Sequence, residues 1–228
     1  MKVLRIYVGN VLPAHVARID GESEVLASAR VQQHVLVIGW SGMPAVPTHW
    51  NTNDVTLLTP DTVFQLIGAV RRQLTLRKPD VIHAHGIWAT IAARLACIGL
   101  DDRPRLVYEI HGALAFESFR RASRLSGSFR MVVLYAIENI AALFADRLVL
   151  VSENIQRYYP ATRNKPAVAI PRGLTRSHRE QRQHPSESLE QVFDFVEKNR
   201  ALGRRIVTYS GGASHWQCIP ETTALLKR

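Results

Sequence analysis

The chain has 228 residues, 46% of them hydrophobic and 21% charged, which excludes a disordered tail, a collagen-like fibre and a disulfide-stapled miniprotein. Its 29 Lys and Arg against 19 Asp and Glu leave a net charge of +10, which favours nucleic acid, phosphorylated substrates or an acidic membrane face as company. Cys97 and Cys218 are far apart, with no CxxC or His/Cys ligand spacing, and read as reduced, buried small hydrophobes of a cytosolic protein.

In chain order, the first run from Met1 to Gly9 carries charges among its apolar residues and has no small-residue cleavage site. It reads as a first buried strand rather than a signal peptide. Further β-branched runs alternate with helical patterns, the signature of βαβ units and a parallel sheet. Strands are predicted over 3–8, 34–39, 55–58, 80–84, 105–110, 147–151 and 167–170, with helices over 21–33, 61–77, 88–99 and 131–145. Val63, Leu66, Ile67, Val70 and Leu74 form one apolar helix face, started by Pro60-Asp61-Thr62 and ended by Lys78-Pro79. Glu138 and Asn139 interrupt the longest helical apolar stretch, so no membrane-spanning helix is expected.

After Pro171-Arg172-Gly173 the composition turns polar. A linker and one helix are expected over 175–204, the helix over 186–202 with Leu189, Val192, Phe193 and Val196 on one side. A fresh strand over 205–210, then Gly211-Gly212 and a helix from Ile219, look like the opening of a second α/β unit. A Rossmann-like domain needs on the order of 100 residues, so this piece is expected to be incomplete. The division is therefore 1–174, one complete α/β domain; 175–204, linker and helix; and 205–228, the start of another.

Ligands of an open parallel sheet bind beyond the carboxyl ends of its strands. One strand runs into His83-Ala84-His85-Gly86, a second into His111-Gly112, and a third delivers Ser152-Glu153. A glycine there lets backbone approach a ligand, and a histidine can act as a general base or bond a hydroxyl or phosphate near neutral pH. A histidine at a strand end is as a rule a satisfied structural residue. Two strands ending alike keep both readings open for His85 and His111. His83, His85 and His111 are zinc-type ligands. Their period-2 spacing is common, however, and no cysteine lies near in sequence, so no metal is expected.

Taken together, His83-Ala84-His85-Gly86, Tyr108-Glu109-Ile110-His111-Gly112, Glu138-Asn139 to Ala145-Asp146-Arg147, Val151-Ser152-Glu153 and Ile170-Pro171-Arg172-Gly173 resemble the N-terminal domain of family 4 glycosyltransferases. The resemblance covers residues 1–175 and continues through Tyr209-Ser210-Gly211-Gly212. It implies the GT-B architecture, two Rossmann-like domains facing across a cleft, with this domain holding the acceptor and helices on both faces of its sheet. It also implies retaining transfer of a sugar from a nucleotide-sugar, with no cofactor and no divalent metal. His111 would lie close to the transferred sugar, with His85, Gly86, Gly112, Ser152, Glu153, Arg172 and Gly173 bordering the cleft and Gly211 and Gly212 in the donor-phosphate loop. The family's glycine-rich first loop is replaced by Gly9-Asn10-Val11-Leu12-Pro13-Ala14-His15, and its paired-glutamate donor region would fall beyond Arg228.

The expected protein is thus a glycosyltransferase of cell-surface polysaccharide or glycolipid synthesis, represented by a truncated chain that is inactive alone. Arg120, Arg121, Arg124 and Arg130, interleaved with Phe116, Phe119, Leu125 and Phe129, read either as a solvated loop and helix face or as a surface for anionic membrane. The second option would place a cytoplasmic protein at the inner face of the cell membrane, near a sugar or lipid-linked acceptor. A non-enzymatic partner- or membrane-binding module is the alternative. Nucleic acid is not an expected partner, because the basic residues are spread along the chain without a binding motif.

Overall fold

Seven parallel strands form one sheet in a computed structural model that describes residues 1–9, 13–39, 55–115, 124–170 and 187–203. In chain order the first elements are β1 (Lys2–Val8), α1 (Pro13–Ser28), β2 (Gln32–Ile38), β3 (Val55–Leu58), α2 (Val63–Arg77) and β4 (Val81–His85). They continue with α3 (Ile87–Ala96), β5 (Arg105–Ile110), α4 (Arg124–Phe144), β6 (Arg147–Leu150) and β7 (Ala167–Ala169). Two short 3-10 turns, Glu153–Tyr158 and Pro160–Thr162, join β6 to β7. These elements belong to a compact unit spanning Met1–Gly173, while the helix α5 (Glu187–Ala201) belongs to a second, Leu174–Arg228.

The strand order is β3-β2-β1-β4-β5-β6-β7. From β1 the chain winds outward one way, then returns through α2 to β4 and winds the other way. This is the α/β Rossmann-like arrangement, and its direction reverses between β1 and β4. Side chains alternate across each strand, so the two faces have separate compositions. Leu4 and Ile6 of β1, Leu36 and Ile38 of β2, and Ile82 and Ala84 of β4 pack on α2 and α3. Tyr108, Ile110, Leu148 and Leu150 continue that face against Ala141, Ala142 and Ala145 at the end of α4. On the other face Val35 and Val37 pack with Tyr7 against Ile19 of α1.

Local chemistry sets the element ends. The Thr62 hydroxyl accepts from the Gln65 amide at 3.2 Å, while the Gln65 side chain accepts from the Asp61 amide at 2.7 Å, capping α2. At the other end Lys78 takes a left-handed conformation (φ 48°) before Pro79. Asp146 ties β5 to the start of β6, its carboxylate accepting from the Leu106 amide at 2.7 Å.

The predicted strands are found with ends shifted by a residue or two. The helices differ more. α1 begins at Pro13, so Gly21 lies inside it; an interior glycine costs a helix only about 1 kcal/mol relative to alanine and need not start one. The same helix ends at Ser28, and a left-handed Arg30 (φ 56°) turns the chain into β2. α3 stops at Ala96, before Gly99 at φ 73°. α4 begins at Arg124 rather than Met131, and its early residues Ser128, Phe129 and Arg130 are exposed, so no buried periodicity marks them. Cys97 is buried, as expected, and burial pushes its thiol pKa up. The strand over 205–210, Gly211, Gly212, the helix from Ile219 and Cys218 lie outside the described residues. Among the described residues no helix is long and apolar enough to cross a membrane.

Candidate functional site

All strands being parallel, β1, β4, β5 and β6 end at one edge of the sheet, and β4 and β5 deliver the two His-Gly turns there. The register explains what gathers behind that edge. Arg5 pairs with His83 and Tyr7 with His85 across β1 and β4, and His85 pairs with Glu109 across β4 and β5. These residues share the face that α1 partly covers, opposite the aliphatic one.

Glu109 is fully buried. One of its oxygens, Oε2, lies 3.0 Å from His83 Nε2 and 3.1 Å from His85 Nδ1, while Oε1 lies 3.4 Å from His111 Nδ1. Burying a carboxylate is costly unless it is paired, and three imidazoles around one carboxylate supply the pairing. The rings also contact one another. His85 stacks on Tyr7 (centroids 3.8 Å, planes 17° apart), with His83 at 4.3 Å and His111 at 5.7 Å.

A second charge is buried next door. The Arg5 guanidinium has no exposed surface; it donates to the Tyr7 hydroxyl at 2.7 Å, Ser23 Oγ at 3.0 Å, the Ile19 carbonyl at 3.1 Å and Gln33 Oε1 at 3.3 Å, and pairs with Glu22. Glu22 in turn lies 3.8 Å from His85 Nε2. Burial pushes the Tyr7 hydroxyl well above its usual pKa, with Arg5 opposing the shift, so Tyr7 stays neutral.

The turns beyond the strands are held by their own contacts. The Gly86 amide donates to the Glu109 carbonyl at 3.2 Å, and its φ of 84° and ψ of 174° belong to a region that essentially only glycine visits. After His111, the buried Glu138 of α4 accepts from the Leu114 amide at 2.9 Å and the Ala115 amide at 3.4 Å. The buried Tyr159 places its hydroxyl 3.5 Å from the Gly112 carbonyl.

The fold thus brings His85, Gly86, His111 and Gly112 together. Ser152 and Glu153 stand one strand further along, at the end of β6. Both are exposed, and Ser152 caps the first 3-10 turn by accepting from the Asn154 amide at 3.3 Å. Two readings need correction. His85 is the last residue of β4 itself rather than part of a turn beyond it, since the strand continues past the predicted end at Ala84. The side chain of His85 is only 2% exposed, because Tyr7 and Glu109 enclose it. Arg172, Gly173, Arg120 and Arg121 lie outside the described residues. Arg124 begins α4, and Arg130 is exposed on it. Sequence reasoning missed Arg5, Tyr7, Glu22 and Glu109 as members of the site. Two of them left a trace: Arg5 and Glu109 are charges inside otherwise apolar strands, each two residues from another ring-bearing member.

Residues 22–177, more than half of the chain, match Glycosyltransferase Family 4, and the chain belongs to that family. Among solved structures, the fold is similar to that of sucrose-phosphate synthase from Thermosynechococcus elongatus (TM-score 0.56, 14% identity, covering 82% of this chain and 53% of that one). Lower similarity is found to HepE from Anabaena in complex with UDP (TM-score 0.46, 21% identity, 76% of this chain and 44% of that one). MnaA from S. aureus, in its structure with UDP, gives a TM-score of 0.49 at 15% identity over 74% of this chain and 43% of that one. The chain therefore spans about half, or less, of the length of these structures. No curated protein matches it. The sheet and its edge correspond to the N-terminal domain of the GT-B architecture.

Glu138→Ala removes the acceptor of two amides next to His111 and is expected to destabilise the domain by about 1–3 kcal/mol, read as a lower urea midpoint. An unchanged midpoint would show that the turn after His111 does not depend on this carboxylate.

Proposed function

We propose that this chain is the acceptor-side part of a retaining glycosyltransferase that uses a nucleotide-sugar and acts in cell-surface polysaccharide or glycolipid synthesis. Family membership supports the reaction class. The observation that carries the site is His111, a quarter exposed at the carboxyl edge of the sheet with Nδ1 3.4 Å from the buried Glu109.

In the transfer, the acceptor hydroxyl oxygen forms a bond to the anomeric carbon. The bond from that carbon to the nucleoside diphosphate breaks, and the diphosphate departs with the electron pair and takes up the hydroxyl proton. His111 contributes by position. With Nδ1 directed to Glu109, Nε2 is the ring atom on the opposite side and serves a sugar hydroxyl. Gly86 and Gly112 leave room for the acceptor beside it, and Ser152 and Glu153 border the same edge. Arg172 and Gly173 are proposed to complete that border, and Gly211 and Gly212 to contact the donor phosphates once a full donor domain is present.

Joining the chain to a complete donor domain of the family is expected to give transfer from a nucleotide-sugar, while the 228-residue chain alone gives none. In the joined enzyme His111→Ala should lower kcat on the order of 100-fold with little change in melting temperature. Robust turnover by the chain alone, or an unaffected His111→Ala enzyme, would refute the assignment.

A membrane-facing role for the same domain is favoured by one feature of α4. Phe129 (76% exposed), Val132, Val133, Ile140 and Leu143 (58% exposed) recur at helical spacing on its outer side, with Arg130 exposed among them and Arg124 in the first turn. An apolar stripe flanked by arginines suits the boundary of an anionic bilayer. Sedimentation with vesicles containing anionic lipid should carry the protein down, and binding should weaken as salt is raised. Equal binding to neutral vesicles, or none to either, would contradict it.

A further inference from the structure

The charged face behind the His111 edge has a property that sugar transfer does not use. His83 Nε2, a ring nitrogen of His85, and one oxygen each from Glu22 and Glu109 all lie within 4.8 Å of one another. We propose that these four residues form a site for one divalent transition-metal cation of the zinc class.

The donor chemistry fits. Two imidazoles and two carboxylates are the N and O ligands that zinc takes in four-coordinate sites. Bond lengths of about 2.0–2.2 Å in a tetrahedron separate donors by roughly 3.3–3.6 Å. Glu109 Oε2 already lies a little closer than that to both strand-borne imidazoles, 3.0 Å from His83 Nε2 and 3.1 Å from His85 Nδ1. Glu22 lies 3.8 Å from the other ring nitrogen of His85, Nε2, with one donor atom from each of the four residues within 4.8 Å of the rest, so its quarter-exposed carboxylate must shift to complete the tetrahedron.

Position separates this set from the acidic clusters common on protein surfaces. Glu109 is fully buried and His85 nearly so. The backbone register of β4 and β5 fixes His83, His85 and Glu109, and α1 brings Glu22 from the other side. Arg5 opposes a cation because it pairs with Glu22. Against that one positive charge stand two carboxylates, so the set keeps net negative charge for a divalent ion when both imidazoles are neutral. The sequence pattern concealed the site because the two carboxylates come from α1 and β5, far in sequence from the histidines. The zinc-type trio considered from sequence contained His111, whereas here His111 lies outside the ligand set, against the other oxygen of Glu109. A bound cation on Oε2 would therefore brace the carboxylate that holds His111, from behind the cleft rather than within it.

The test uses the 228-residue chain freed of metal by a chelator and dialysed, then titrated with Zn2+ by calorimetry and with Co2+ by absorption. One saturating equivalent is expected, with the Co2+ complex showing the intense visible bands of a tetrahedral N/O site. His83→Ala and Glu22→Gln should each weaken Zn2+ binding at least about ten-fold. His111→Ala should leave the stoichiometry at one. Absence of saturable Zn2+ binding, an octahedral Co2+ spectrum, or affinity unchanged in both ligand variants would overturn the proposal. Should either variant fail to fold, the wild-type Co2+ spectrum decides by itself. No sugar donor enters the experiment, so its outcome is independent of the glycosyltransferase reading.

Discussion

A carboxylate without access to water, on the interior strand β5, is the constraint around which this domain is arranged. Glu109 is buried in a sheet whose opposite face is mainly apolar, and the polar face meets that carboxylate. Meeting it takes two histidines on β4, at the period of two that puts both on one face, and a third at the end of β5 itself. The next charge along, Arg5, is met by Glu22 and by the carbonyl and hydroxyl groups of α1, which pins that helix over β1. Removing Glu22 would leave the buried Arg5 without its carboxylate, and removing Glu109 would take away the group that three imidazoles share. Sheet order, helix placement and the orientation of His111 therefore depend on each other.

Much of the fold was readable from residue patterns alone. Strands buried on both faces show as runs of Val, Ile and Leu, and their alternation with helical segments gives a parallel doubly wound sheet. α2 was legible to its caps, because Thr62, Gln65 and Pro79 each have a local chemical role. α1 was not, since Pro13 suits a loop as well as a first helical position and Gly21 imitates a helix start. His85 and His111 could be singled out as histidines before glycines at strand ends. Their shared partner could not. That Glu109 lies beside His85, and Arg5 beside His83, is decided by strand order, and β1 neighbours β4 only because the chain crosses over through α2.

The excess positive charge has no single destination. Arg5 is consumed inside the domain, Arg103 pairs with Asp146, and Lys165 donates to the Leu143 and Ala145 carbonyls at the end of α4, where a cation is favoured by the helix dipole. Arg130 stays on the surface beside the apolar stripe of α4. The pairs Arg5–Glu22 and Arg103–Asp146 cancel internally, so the net charge of +10 rests on other basic residues, Lys165 and Arg130 among them. That distinction comes from pairing and cannot be read from composition.

Glu109 sets the direction in which His111 faces. Nitrogen-15 NMR of the histidine rings, at a pH where His111 is neutral, measures this directly. With Nδ1 3.4 Å from Glu109 Oε1, the account predicts that the ring proton of His111 resides on Nδ1 and that Nε2 is unprotonated. A His111 protonated on Nε2, with a bare Nδ1 facing the carboxylate, would contradict it.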